Sequence, residues 1–300
     1  MGKFTLRKGN SNRNRIISKV KAKYWRTTHK YGIRLPKNME DALAIDKANG
    51  NDYWEQAVQK EMGKVKVACK PNEERTPSDV ESGLAPELAQ YQRITCHLII
   101  DVKMDFTRKA RFIANGSRTE TPNSLTYSSI VSRESIKLAF LIAALNNLDV
   151  MSCDIGNAYL NSPCLEKVWF KAGKECGIDE GKVCIVVQAL YGLKSSGASW
   201  AATFSDFIEK QLGFTSTRVD ADVYRRVNTR TSGTRYELLL VYVDDFLVIS
   251  HLPEDVMKKI GEEFNLKDGY AALTQYLGAG IERFQMKDGL QPCSLKATNM

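Results

Sequence analysis

Several features are missing from this 300-residue sequence. No apolar stretch approaches the ~20 residues needed to span a bilayer. The opening MGKFTLRKGNSNRNR holds no apolar segment of the kind a secretory leader requires. Position six is Leu, where a myristoylation signal carries Ser or Thr. The expectation is an intracellular, non-secreted protein with no membrane partner. The seven cysteines, at 69, 96, 153, 164, 176, 184 and 293, form no Cys-x-x-Cys pair. Their number is odd, which fits free thiols in a reducing compartment. The three histidines lie far apart, and Cys96-His97 has no partners at zinc-ligand spacing, which argues against structural zinc. There is no internal repeat and no low-complexity tract.

What the sequence does have is basic charge, unevenly spread. The formal net charge is +8, yet residues 1–40 carry twelve Lys or Arg against one acid, Glu40, so the other 260 residues sum to −3. Tyr24, Trp25 and Tyr31 are interleaved in RNRIISKVKAKYWRTTHKYGIR. Such an arm suits a polyanion, with rings available to stack on bases, and it equally suits a solvated linker. Residues 1–45 are read as this arm, and 50–300 as the folded part.

Periodicity organises that part. NDYWEQAVQKEMGKVKVA (51–68) opens as a helix with Asp52 as N-cap and Trp54, Val58 and Met62 on one face. Residues 70–91 hold three prolines and several acids and read as an exposed loop. RITCHLIIDVKMDFTRKARFIANG (93–116) reads as two strands around a turn. SRESIKLAFLIAALNN (132–147) reads as a helix capped by Ser132, apolar on every side in its middle and so deeply buried. LDVMSCDI (148–155) is a strand, GASWAATFSDFIEKQLG (197–213) a helix, and PEDVMKKIGEEFN (253–265) a short amphipathic helix. Strands interrupted by helices without a strict βαβ rhythm indicate an α+β fold.

The chemistry concentrates in LLLVYVDDFLVIS (238–250), where Asp244 and Asp245 interrupt an apolar run. A two-residue turn at a solvated hairpin tip explains two aspartates as well as catalysis does. Asp154, at the end of its own strand, is the candidate third carboxylate. If the two strands are neighbours, three acids converge, and a cation relieves their repulsion. Oxygen ligands without His or Cys favour Mg²⁺ or Mn²⁺, and two such ions support phosphoryl transfer.

These residues carry a resemblance. YVDD (242–245) resembles motif C of reverse transcriptases, and DIGNAYL (154–160) resembles their motif A. ALYGLKSSGASW (189–200) is similar to the LYGLKQAPRAW stretch of copia-type retrotransposon polymerases, KARFIANG (109–116) to their KARLVAKG, and YLGAGIERF (276–284) to their FLGIxI hairpin. The five motifs stand in the family's order from about Trp54 to Arg283.

The resemblance implies a right-hand polymerase of palm and fingers, with too few residues after Phe284 for a thumb or RNase H. It implies an RNA-directed DNA polymerase module of a Gag-Pol polyprotein, acting on RNA or DNA template-primer and deoxynucleoside triphosphates. Asp154, Asp244, Asp245 and the carbonyl of Ile155 would hold two Mg²⁺ or Mn²⁺ ions. Tyr159 would lie beneath the incoming sugar and exclude a 2′-hydroxyl. Lys109 and Arg111 would meet the triphosphate. Gly192 would let backbone approach the nascent base pair, with Lys194 beside it. Tyr242, Leu277 and Gly278 would hold the primer. The sequence departs from the family at Ser195, Ser196 and Gly197, where Gln, Pro and Arg are missing, and at Asn115, where a lysine is missing. An inactive, truncated nucleic-acid-binding remnant is the alternative. A template-independent palm-type transferase, such as a nucleotide cyclase, is opposed by the LYGLK and KAR stretches.

Overall fold

A computed structural model describes residues 29–120, 122, 126–228, 235–272, 275–276, 279–283 and 293–297. The expectations for residues 1–28, Leu277 and Gly278 lie outside the described residues. Residues 29–49, read from the sequence largely as arm, are folded. Strands β1 (His29–Lys30) and β2 (Ile33–Arg34) form a small hairpin, followed by helix α1 (Met39–Asn49). Ala42 and Ile45 of α1 pack on Trp54, an apolar anchor that the charge count could not reveal.

Helix α2 (Tyr53–Val65) buries Trp54, Val58 and Val65. Asp52 sits at its N-cap position but makes no side-chain capping bond. Asp46 of α1 does so instead: its Oδ2 accepts the N–H groups of Trp54 and Glu55, each at 2.9 Å. The segment 70–91 is also more ordered than a loop. It carries β3 (Cys69–Asn72), the one-turn helix α3 (Pro77–Glu81) with a Thr76–Asp79 capping box, and the buried Ala85 and Leu88. Leu88 and Ala85 pack against Trp169 and Val183.

Two smaller sheets follow. β5 (Cys96–Val102) and β6 (Arg108–Ala114) form the expected hairpin, in register from Cys96 opposite Ala114 to Val102 opposite Arg108. The other sheet has the order β3-β9-β8-β4, with β4 (Gln92–Arg93), β8 (Val168–Lys171) and β9 (Val183–Val186); β4 runs parallel to β8. Phe112 and Phe170, 5.6 Å apart between ring centres, join the hairpin to this sheet in one apolar cluster.

The largest sheet is antiparallel throughout, in the order β10-β11-β12-β13-β7-β14. Its strands are β7 (Asp149–Ile155), β10 (Thr215–Ser216), β11 (Val223–Asn228), β12 (Arg235–Tyr242), β13 (Asp245–Ser250) and β14 (Leu266–Ala272). Helices α5 (Ser196–Lys210) and α6 (Pro253–Glu263) cover one face, where Phe246 and Val248 meet Trp200, Phe204 and Ile260. Helix α4 (Arg133–Leu145) covers the other, where Leu247 and Ile249 meet Ile136, Ala139 and Phe140. β13 is therefore apolar on both sides, which explains its unbroken hydrophobic run. Each such side chain contributes about 1.5–3 kcal/mol on burial. Those contributions hold the strand in place although its tip carries acids.

α4 departs from the expectation of burial all round. Leu138, Leu141 and Leu145 are each more than half exposed, because the sheet takes only one face of the helix. Strands β15 (Gln275–Tyr276), β16 (Ala279–Arg283) and β17 (Cys293–Ala297) form a further antiparallel sheet. No helix among the described residues is long and apolar enough to cross a membrane. Cys69, Cys96, Cys153, Cys164, Cys176 and Cys184 are free thiols.

Candidate active site

β12 and β13 are joined by a turn whose central residues are Val243 and Asp244, with Tyr242 opposite Asp245. Val243 has φ +60°, a costly conformation for a β-branched residue. Two bonds hold the turn there. The indole N–H of Trp200 donates to the Val243 carbonyl at 2.8 Å, and the Ile155 N–H donates to the Asp244 carbonyl at 2.8 Å. Trp200 is stacked on Phe204, 5.1 Å between ring centres, so the underlying core aims the turn. The hydrogen bond from Trp200 to the turn had no local signal in the sequence.

The second bond also ties the turn to β7. Asp154 lies directly opposite Asp245 across the β7–β13 ladder, and directly opposite Lys267 across the β7–β14 ladder. Side chains directly opposite one another share a face, with Cβ atoms about 4.5–5.5 Å apart. The three side chains therefore form a row, acid–acid–base, at the sheet's end. Gly156 helps to seat β14: its N–H donates to the Asn265 carbonyl at 2.8 Å, and a Cβ there would stand 3.2 Å from that oxygen. Lys267 Nζ donates to Asp154 Oδ2 at 2.6 Å. No motif in the sequence pointed to Lys267.

Like charges are felt in this row. Burial, then the charges of Asp244 and Asp154, pushes the Asp245 carboxyl up to about 6, against the pull of Lys267. Burial also pushes the Asp244 carboxyl up, with Asp154 adding to it; a bond to its own backbone, Lys267 and Arg111 act the other way. All the donors are hard oxygens, and an ammonium already occupies a cation's place on Asp154. That donor set fits a hard divalent ion. As they stand, no three His, Cys, Asp or Glu side chains among the described residues are gathered closely enough to hold a metal. One oxygen of Asp154 is engaged by Lys267.

Facing the row is a basic and aromatic wall. On β6, Ala110, Phe112 and Ala114 point into the core, while Lys109 and Arg111 point the other way. Burial, then Arg111, Lys103 and Lys267, holds the Lys109 ammonium below its ordinary value. The Arg111 guanidinium lies over the Tyr191 ring at 5.7 Å, and Tyr191 packs on Tyr159 with ring centres 4.9 Å apart. Burial pushes the Tyr191 phenol up to about 12 and raises that of Tyr159, with the charge of Asp244 adding to both. Asp244, Arg111, Tyr191 and Tyr159 therefore share one neighbourhood. Tyr191, part of the LYGLK stretch, was not singled out from the sequence.

The structure gives three of the sequence candidates internal partners. Gly192 has φ +94°, and a Cβ there would stand 2.1 Å from the Ala114 carbonyl oxygen. The close approach it serves in the folded chain is to the end of β6, where the Ala114 N–H donates to the Tyr191 carbonyl at 2.8 Å. The Lys194 ammonium donates to the Thr119 carbonyl. Tyr242 is half-buried against the α4 cluster. Two of the family departures, Ser195 and Ser196, have internal partners as well. The buried Glu166 accepts the N–H and hydroxyl of Ser195, both at 2.9 Å, and the Ser196 hydroxyl donates to the Leu190 carbonyl at 2.6 Å. These serines bind their own chain.

The family model for reverse transcriptase (RNA-dependent DNA polymerase) matches residues 92–298. The chain belongs to this family. Similar relatives include the Gag-Pol polyproteins of transposons Ty1-LR2 and Ty1-ML2 of Saccharomyces cerevisiae. Each is 29% identical over 159 residues, covering 52% of this chain. They place this reverse transcriptase with the copia-type retrotransposons. The chain spans 8% of the length of those relatives.

Proposed function

We propose that this chain is a nucleotidyl-transfer centre that copies RNA or DNA template from a primer 3′-hydroxyl. In this reading the six-stranded sheet with α5 and α6 is the palm. The β5–β6 hairpin and the sheet behind it are the fingers, and the Lys- and Arg-rich residues 1–28 are the basic arm. The observation that carries the reading is the register of Asp154 opposite Asp245, with Asp244 in the adjoining turn.

Reverse transcriptases use divalent metal ions. Asp154, Asp244 and Asp245, with the Ile155 carbonyl, would hold two Mg²⁺ or Mn²⁺ ions. Bound there, such ions lower the pKa of the primer hydroxyl and stabilise the leaving pyrophosphate. The chain's own residues do the rest. Arg111 presents a planar fork and Lys109 a point charge to the triphosphate. Tyr159, braced by Tyr191, fills the space that a 2′-hydroxyl would need, so deoxynucleotides are selected by exclusion. Gly192 and Lys194 act indirectly, by holding the Tyr191 segment and the 119 loop. Tyr242 and the Leu277–Gly278 stretch would face the primer. The basic arm would follow the nucleic-acid backbone.

The test is primer extension on a poly-ribonucleotide template with Mg²⁺ or Mn²⁺. Asp154→Asn and Asp244→Asn should each lower extension about 10³-fold, and Asp245→Asn less. Tyr159→Ala should raise ribonucleotide incorporation. Extension that survives both of the first two substitutions would overturn the assignment. Product formed without template would favour a cyclase-like transferase.

A further inference from the structure

The Asp245–Asp154–Lys267 row raises a question of charge. We propose that Lys267 is a built-in counter-ion that holds the metal's place on Asp154, so that metal entry is a competition with this ammonium. The inference rests on the reading of Asp154 as a metal ligand.

Three observations carry it. First, the contact is direct: Nζ lies 2.6 Å from Oδ2 of the one carboxylate that has acids on its other side. Second, the backbone is built to make it. β14 meets β7 in register at Leu266 opposite Ile155 and Lys267 opposite Asp154. The ladder then slips, resuming at Ala271 opposite Ser152, so residues 268–270 bulge against the single residue Cys153. Gly269 takes φ +74° within that bulge, and its carbonyl accepts the Cys153 thiol at 3.1 Å. The slip leaves Leu266 and Lys267 alone in the register that places Lys267 beside Asp154. Third, the lysine can leave. Its side chain is half exposed, at 51%, and a long flexible stem lets the ammonium swing to water without moving the strand.

A neutral side chain at 267 removes both the competitor and a positive charge that repels an incoming cation. Both effects strengthen metal binding. If Lys267 instead served to orient the Asp154 carboxylate, its removal would weaken metal binding, so the sign of the change separates the two roles.

The experiment is titration of the nucleotide-free chain with Mn²⁺, reading free Mn²⁺ by its electron paramagnetic resonance signal. Lys267→Met should bind Mn²⁺ about fivefold more tightly than the wild type, the scale of one partly exposed ion pair. Lys267→Arg keeps the charge and should stay near the wild type. Asp154→Asn should bind more weakly than the wild type. If Asp154→Asn weakens binding but Lys267→Met leaves it unchanged or weaker, the carboxylate site stands and the counter-ion role is overturned. If Asp154→Asn binds as the wild type does, the metal-ligand reading itself fails, and this inference falls with it.

Discussion

Tyr191 shows how one ring links two functions at the site. It contacts both the Arg111 guanidinium and the Tyr159 ring, so it steadies both the proposed phosphate-binding cation and the proposed sugar filter. Removing it leaves Tyr159 without a wall on that side. Tyr191→Ala should raise the ribonucleotide-to-deoxynucleotide ratio of kcat/KM about tenfold, a change of about 1.4 kcal/mol, while Tyr191→Phe keeps the ratio. An unchanged ratio in the alanine variant would mean that Tyr159 holds its position unaided. The neighbouring glycine carries a different load. At Gly192 a methyl group meets both a positive φ and the Ala114 carbonyl at 2.1 Å. At Gly181, φ +83°, a Cβ would meet nothing within 4 Å. Gly192→Ala should therefore cost about 3 kcal/mol or more, the sum of strain and overpacking, and Gly181→Ala about 1–2 kcal/mol. Urea unfolding of the two variants measures the difference. Equal losses would remove the close approach as the reason for the glycine.

At the scale of elements, the N-terminus of α2 is decided by a residue from another helix. Asp46 is 3% exposed and accepts two of the helix's free N–H groups, whereas Asp52 caps nothing. Asp46→Ala should cost about 1–2 kcal/mol in chemical unfolding, and Asp52→Ala less than about 0.5 kcal/mol. The reverse order would restore the local cap that the sequence suggested. The case also shows where sequence reasoning stops. Periodicity located α2, α4, α5, α6 and the β5–β6 hairpin, because each carries its own apolar stripe or alternation. The three aspartates were legible because the motifs name them and a strand end gives each a direction. Asp46, Trp200 and Lys267 were not, because their roles come from partners 8, 43 and 113 residues away. The same holds for α4: its apolar composition cannot tell that the sheet covers one face and leaves Leu138, Leu141 and Leu145 outside. Gly192 was read as a glycine that lets backbone approach the nascent base pair; the close approach found in the folded chain is to the Ala114 carbonyl.

For the molecule as a whole, the large sheet is secured at the end of β12 opposite the acidic turn. Glu237 is 3% exposed, and it gathers Arg226 at 2.5 Å, Ser250 at 2.6 Å and Asn228 at 3.1 Å from the two flanking strands. Arg226 in turn lies 4.4 Å from the Phe214 ring centre and donates to the Leu212 carbonyl, which joins the sheet to the segment after α5. Burial acts to raise the Glu237 carboxyl, but the bonds from Ser250, Arg226 and Asn228 outweigh it and hold it below its ordinary value. A carboxyl lowered in this way stabilises the fold above its unfolded value, about 4.3. That contribution is lost as the pH falls through the lower folded value. The wild type should therefore lose stability as the pH drops below about 4. Glu237→Gln leaves Arg226 partly buried without its counter-charge. It should cost about 3 kcal/mol at neutral pH yet show a flatter acid limb. Guanidine unfolding at a series of pH values reads both effects. An acid limb as steep in Glu237→Gln as in the wild type would place the acid sensitivity of the sheet elsewhere.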